Sequence, residues 1–267
     1  MIRILLIVFS VFILLSGCAS SSLYSSSISD KKNNLIEKLN PPESFTSRDL
    51  KIVAIGDSLT AGVGDESKQG GYIGMVKKML ERETGLKEVT LSNFGIRGHK
   101  TDDLLKKLSN EEVISRVKEA DIIVMTIGAN DIMEVVRGNI LSLDFEPFRN
   151  EKKNYEDRFS DILSTIRKHN TEAQIVYVGL YNPFKLMLPE LTEIDIIIEE
   201  WNNSSQRLIQ ADPNSNYVPV DDFFSRESVD KLLYKDEFHP NKLGYSLMAD
   251  RVFNAIKNEE INYLSSE

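Results

Sequence analysis

Residues Asp121 to Asp131 read DIIVMTIGAND. Asp121–Ile127 is a nearly unbroken apolar run, rich in β-branched residues and without polar alternation. A strand of that kind is covered on both faces, the environment of a parallel sheet flanked by helices. Working outward, Lys51–Ile55 (KIVAI), Val89–Leu91, Gln174–Gly179 and Tyr217–Val220 are further strand candidates. Helical patterns lie between them. Tyr72–Glu83 puts Ile73, Val76, Met79 and Leu80 on one face, and Thr101–Leu108, Asn110–Glu119, Tyr155–Lys168, Leu191–Gln210 and Asn241–Lys257 follow. Strand–helix alternation implies right-handed crossovers with helices on both faces. The sequence therefore predicts one doubly wound, three-layer α/β/α domain with about five parallel strands. Ligands in such a domain bind beyond the carboxyl ends of the strands, so the polar residues just after each strand are the ones to inspect.

The 267-residue chain is 41% hydrophobic and 27% charged, an ordinary globular balance that can bury a real core. Its net charge of −9 argues against nucleic acid as a partner, because a phosphate backbone needs clustered Lys and Arg. A single cysteine, Cys18, excludes an intrachain disulfide and a cysteine-based metal cluster. Three histidines, His99, His169 and His239, leave three places for imidazole chemistry. The sequence has no GxxxxGK(S/T) phosphate loop, no GxGxxG after a strand and no HExxH, so it points to no cofactor and no metal.

At the N-terminus Arg3 precedes an apolar run, Ile4–Leu15, broken only by Ser10. The run is shorter than the roughly 20 residues a membrane-spanning helix needs, and it has the pattern of a signal-peptide core. It leads into Leu15-Ser16-Gly17-Cys18, which resembles the lipobox of bacterial lipoproteins, in which the cysteine is lipidated and becomes the mature N-terminus. Ala19–Ser29 holds seven serines in eleven positions and can build no core. Residues 1–17 are thus expected to be a signal peptide. Residues 18–48 read as a lipidated Cys18 with a flexible tether that reaches roughly 30 Å. Residues 49–260 form the folded domain and 261–267 a C-terminal tail. On this reading the membrane is a partner through the lipid anchor, and the domain sits in the cell envelope, outside the cytoplasm.

Four polar blocks fall at strand ends or ahead of the last helix. They are Gly56-Asp57-Ser58-Leu59, Asn93-Phe94-Gly95-Ile96-Arg97-Gly98, Gly128-Ala129-Asn130-Asp131 and Asp236-Glu237-Phe238-His239-Pro240. Ser58 lies on a strand-to-helix turn, where its Oγ can be exposed near a helix N-terminus. A serine hydroxyl is a poor nucleophile without a base to take its proton. His239 suits that role, since it precedes a helix whose first turn accommodates Pro240. Asp236, three residues earlier, can fold back within one turn to hold the imidazole. Asp221 and Asp222, near the fifth strand, are rival acids. Gly56-x-Ser58-x-Thr60 is not the GxSxG elbow of α/β-hydrolases, because position 60 is threonine.

Together the four blocks resemble the GDSL, or SGNH, hydrolase family over roughly residues 50–258. The resemblance implies a flavodoxin-like three-layer fold and a catalytic Ser58, His239 and Asp236. It assigns an oxyanion hole to the Ser58 and Gly95 backbone N–H groups and the Asn130 side-chain amide. It implies a metal-independent ester hydrolase that cleaves lipid or short acyl esters through an acyl-enzyme. Two other readings use the same cleft: a cell-wall or polysaccharide O-acetyl esterase, and a non-catalytic binding lipoprotein.

Several other residues carry expectations. His169 reads as a cation at a helix C-terminus, and Asp57 as a structural hydrogen-bonding residue. His99 and Asn182 are candidates for contacting substrate. Asn182 lies in Tyr181-Asn182-Pro183-Phe184, which is either a wall of the acyl pocket or a packed loop. Leu186–Leu188 and Ile194–Ile198 are either an apolar groove or core. The glycine-rich Ala61–Gly71 is either a mobile lip over the site or an exposed turn.

Overall fold

The computed structural model describes residues 48–139, 144–185, 190–225 and 228–264, with side chains as far as residue 257. The stretch expected to be a signal peptide, Cys18, the expected tether up to residue 47 and Leu186–Leu188 lie outside the described residues. Five strands form one parallel sheet: β1 (Arg48–Gly56), β2 (Leu86–Gly95), β3 (Ile122–Thr126), β4 (Gln174–Val178) and β5 (Ser215–Val218). Their order is β2-β1-β3-β4-β5. The chain reverses its winding between β1 and β3, and the crevice of such a sheet opens at that point, beyond the strands' carboxyl ends. All five strands overlap the apolar runs that predict them, with β5 shifted two residues towards the N-terminus from the expected Tyr217–Val220. β3 and β4 are buried along their whole length, as central strands covered on both faces must be.

The helices are α1 (Ser58–Ala61), α2 (Gly71–Leu80), α3 (Thr101–Lys107), α4 (Glu111–Glu119), α5 (Ala129–Gly138), α6 (Phe145–His169), α7 (Glu193–Gln210), α8 (Val229–Leu232) and α9 (Lys242–Leu264). Side-chain alternation sorts each strand between two cores. Val53, Ile55, Ile123, Met125 and Tyr177 pack under α3 to α7. Ile52, Ala54, Val124 and Val176 pack under α2, α8 and α9.

Several helices differ from expectation: α2 ends at Leu80 rather than Glu83, and α8 was not expected. α5 is not among the expected helices, because its first turn reads as a polar motif; its buried residues are Asp131, Ile132 and Val136. α6 begins at Phe145 rather than Tyr155, since the polar run Asn150–Asn154 interrupts the apolar period while Phe148 still reaches the core. Pro147 sits in the first turn of α6, where a missing N–H costs nothing. α9 runs to Leu264, into the stretch expected to be a tail, because nothing between Asn258 and Leu264 breaks a helix.

Candidate active site

β1 delivers Ser58 to the carboxyl edge of the sheet as the first residue of α1. Asp57 caps that helix, its Oδ1 accepting the Leu59 N–H at 3.0 Å. The same oxygen accepts the Thr126 hydroxyl at 2.7 Å, and the Thr60 hydroxyl lies 2.7 Å from that of Thr126. Asp57 is thus a structural hydrogen-bonding residue that ties α1 to β3. Its burial raises the carboxyl to about 7, against the opposing hydrogen bonds from Thr126 and Leu59.

Across the cleft, His239 Nε2 stands 2.9 Å from Ser58 Oγ. Its Nδ1 stands 2.7 Å from Asp236 Oδ2. The other Asp236 oxygen accepts the N–H groups of Phe238 at 3.1 Å and His239 at 3.0 Å, so the acid folds back over its own loop. Burial works to raise the Asp236 carboxyl, but these bonds to His239 and Phe238 outweigh it and hold the group below the usual carboxylate range. The loop is pinned from outside as well. Tyr181 donates its hydroxyl to the Phe238 carbonyl at 2.6 Å, and the Tyr234 N–H reaches the His239 carbonyl at 2.7 Å. The rival acids are elsewhere: Asp222 is paired with Arg251, and Asp221 opens the adjoining 3-10 turn. His169 ends α6, on the edge of the sheet from which β4 starts, away from Ser58.

Asn130 lies in the first turn of α5, and its Nδ2 donates to the His99 carbonyl at 2.9 Å. One amide hydrogen remains for a ligand. Its neighbour Asp131 is buried and binds the Thr101 hydroxyl at 2.5 Å and Arg158 at 3.1 Å. This network, which joins α5 to α3 and α6, is invisible in sequence because Arg158 is far along the chain and sits in a charged stretch.

Gly95 is where the structure departs from expectation. Its N–H donates to Asn93 Oδ1 at 2.9 Å, while Asn93 Nδ2 donates to the Thr60 carbonyl at 2.7 Å. A Cβ on Gly95 would stand 2.4 Å from the Ala61 nitrogen. Gly95 therefore permits the close approach of β2 to α1, and its amide is committed within the protein. Directly after it, Ile96–His99 forms a turn closed by the His99 N–H on the Ile96 carbonyl at 3.2 Å. Gly98, with φ +85°, takes the third position, which in a type II turn requires glycine. The doubled glycines of this block were the sequence signal for it.

The two candidate substrate contacts also differ. Asn182 is buried, donates to Asp195 of α7 at 2.8 Å and accepts the Phe184 N–H at 2.8 Å, so its side chain ties the turn to α7. His99 serves Asn130 through its carbonyl, and its ring does not line the pocket. Ala61–Gly71 is braced rather than loose: the Asp65 carboxylate accepts the N–H groups of Ser67, Gln69 and Gly71 and the Ser67 hydroxyl. Gly64 lies against Pro240 and the His239 Cβ, so this braced loop backs the imidazole.

A pocket of about 530 Å³, open to solvent, starts at Ser58 and runs between α5, α7 and the segment after β4. Its walls away from Ser58 are apolar. Tyr181, Pro183 and Phe184 form one side, so this segment is pocket wall, and Ile194 and Ile198 of α7 form another.

The model of the GDSL-like lipase/acylhydrolase family matches residues 54–247. The chain belongs to that family. All four polar blocks of this GDSL hydrolase fall within the match. An uncharacterized protein of Bacillus subtilis, YpmR, is 39% identical over 259 residues, which is 97% of each chain. The spore germination lipase LipC of Bacillus licheniformis is 28% identical over 207 residues, covering 76% of this chain and 94% of that one. Among solved structures, the lipase Lip_vut3 from a goat rumen metagenome superposes with a TM-score of 0.70 at 27% identity, covering 77% of this chain and 97% of its own. An acetylxylan esterase from Geobacillus stearothermophilus, at 22% identity and a TM-score of 0.57, shares the fold. The protein is an ester hydrolase of the GDSL type.

Proposed function

We propose that this enzyme hydrolyses carboxylic esters of apolar acyl chains through a Ser58 acyl-enzyme. The observation that carries the reading is the continuous contact from Ser58 Oγ through His239 to Asp236, with spacings of 2.9 Å and 2.7 Å. His239 Nε2 takes the proton of Ser58 as Oγ bonds to the ester carbonyl carbon. Collapse of the tetrahedral intermediate breaks the bond to the alcohol oxygen, which receives that proton. Water then gives a proton to His239 and adds to the acyl carbon; collapse breaks the bond to Ser58 Oγ, which takes that proton from His239 as the acid leaves. Asp236 holds the Nδ1–H tautomer throughout. Donors for the oxyanion in this proposal are the Ser58 N–H and the remaining Asn130 amide hydrogen. The apolar walls favour an acyl chain over a sugar, whose hydroxyls would lose their partners there. The names of LipC and Lip_vut3 agree with a lipid or acyl ester.

The test is turnover of p-nitrophenyl esters by the purified protein. Ser58→Ala and His239→Ala should each lower kcat by at least about 10⁴-fold. Either variant retaining a tenth of the wild-type rate would refute the assignment.

Membrane attachment belongs to the same proposal. Lipidation of Cys18 would tether the hydrolase near its lipid substrate, with residues 19–47 as the leash. The support is the signal-like run ending in the chain's single cysteine. Labelled palmitate should enter the wild type and not Cys18→Ala; equal labelling of both would exclude the anchor.

A further inference from the structure

We propose that Ile194 and Ile198 of α7 set the length of acyl chain this enzyme accepts. The inference rests on the acyl-ester reading of Ser58 and deepens it. The two residues are four apart and share one face of the helix. Both line the pocket that begins at Ser58, yet they are only 1% and 6% exposed. One wall of the pocket is therefore core, and α7 supplies part of it. Ile132 of α5 and Leu180 after β4, also buried, line the same cavity.

Polarity is distributed in the same sense. The polar side chains of the pocket, Asp57, Ser58 and Asn130, cluster at the reacting end. Asp57 is occupied by Leu59 and Thr126. The Tyr181 hydroxyl is spent on the Phe238 carbonyl, so Tyr181 offers only its ring to the cavity. A chain that extends from the ester carbonyl towards α7 meets hydrocarbon alone. Each methylene that finds room gains roughly fourfold in binding, until the chain reaches the two isoleucines. Specificity for chain length is then a matter of how far the α7 side chains stand from Ser58.

The experiment is a series of p-nitrophenyl esters from acetyl to dodecanoyl, run on the full chain in detergent for wild type, Ile198→Phe, Ile194→Phe and Ile198→Ala. In the wild type, kcat/KM should rise by at least about tenfold from acetyl to an intermediate chain and then fall. Each phenylalanine variant should move the optimum to shorter chains and cut the octanoyl-to-acetyl ratio at least about tenfold. Ile198→Ala should move the optimum to longer chains. Should a phenylalanine variant fail to fold, the upward shift in Ile198→Ala carries the test. A wild-type preference for acetyl, or an unchanged optimum in the folded variants, would overturn the proposal while leaving ester hydrolysis intact. Absence of turnover on every ester would instead defeat the reading on which it rests.

Discussion

Replacing Gly95 with alanine adds one methyl group at the tightest contact between β2 and α1. The new Cβ would stand 2.4 Å from the Ala61 nitrogen, 2.7 Å from the Thr60 carbonyl carbon and 2.8 Å from the Thr60 Cβ. The two nearest atoms are backbone, so no side-chain rotation relieves the clash. Ordinary contact begins near 3.4 Å, so β2 and α1 must separate by about 1 Å. Overpacking of this kind costs about 1–3 kcal/mol. For a domain of this size that lowers Tm by about 2–12 °C. The displacement also stretches the bond from Asn93 Nδ2 to the Thr60 carbonyl, now 2.7 Å, which ties the same two elements. Ser58 rides on α1 and must stay 2.9 Å from His239, so a shift approaching 1 Å should lower kcat by about 10²-fold. KM should change much less, because α5 and α7 wall the pocket away from Gly95. Thermal unfolding and steady-state kinetics on the same preparation give both numbers. Alanine keeps the backbone N–H, so a variant with unchanged Tm and unchanged kcat would fit a glycine that merely supplies an amide, and would refute its role as a spacer.

Two further outcomes follow from the buried charges around the site. Asp57, raised from 3.8 to about 7, favours the fold when neutral. Its contribution is fully present below about pH 4 and is lost as pH rises through 7, amounting to at most roughly 4 kcal/mol. Both of its hydrogen bonds are accepted by Oδ1, which asparagine also provides. Asp57→Asn should therefore have a higher Tm than wild type at pH 8.5 and the same Tm near pH 4; parallel Tm–pH curves would contradict this. Arg158→Met strips the buried Asp131 of its cation and should cost about 3–5 kcal/mol in urea unfolding. The double variant with Asp131→Asn should recover part of that loss, and a double variant no more stable than the single one would count against the pairing.

Legibility in the sequence followed the range of the interactions. Strand positions are local properties, because a strand buried on both faces must be apolar at every residue. Asp121–Ile127 shows that without reference to anything else. The backward fold of Asp236 onto His239 is equally local, since it spans one turn. α5 is hard to read because the Gly-Ala-Asn-Asp motif supplies its first turn, although Ile132, Met133 and Val136 do follow a helical period. Gly95 is ambiguous in sequence for a related reason. A glycine at a strand end is compatible with donating an amide or with admitting a neighbour, and only the position of α1 distinguishes the two.

The order of the apolar runs and the four polar blocks already contained the parallel α/β architecture and the residue types of the chemistry. Local pattern is enough for these, because hydrophobic period and turn chemistry act within a few residues. Tertiary structure decided the rest. It brought Ser58 within 2.9 Å of His239 from 181 positions away. It committed Gly95 and Asn182 to the protein's own hydrogen bonds, joined Asp131 to Arg158, and set the core residues Ile194 and Ile198 along the pocket wall. Each of these depends on which surfaces meet when the helices close over the sheet, and a contact between distant surfaces leaves no mark on the residues beside either partner.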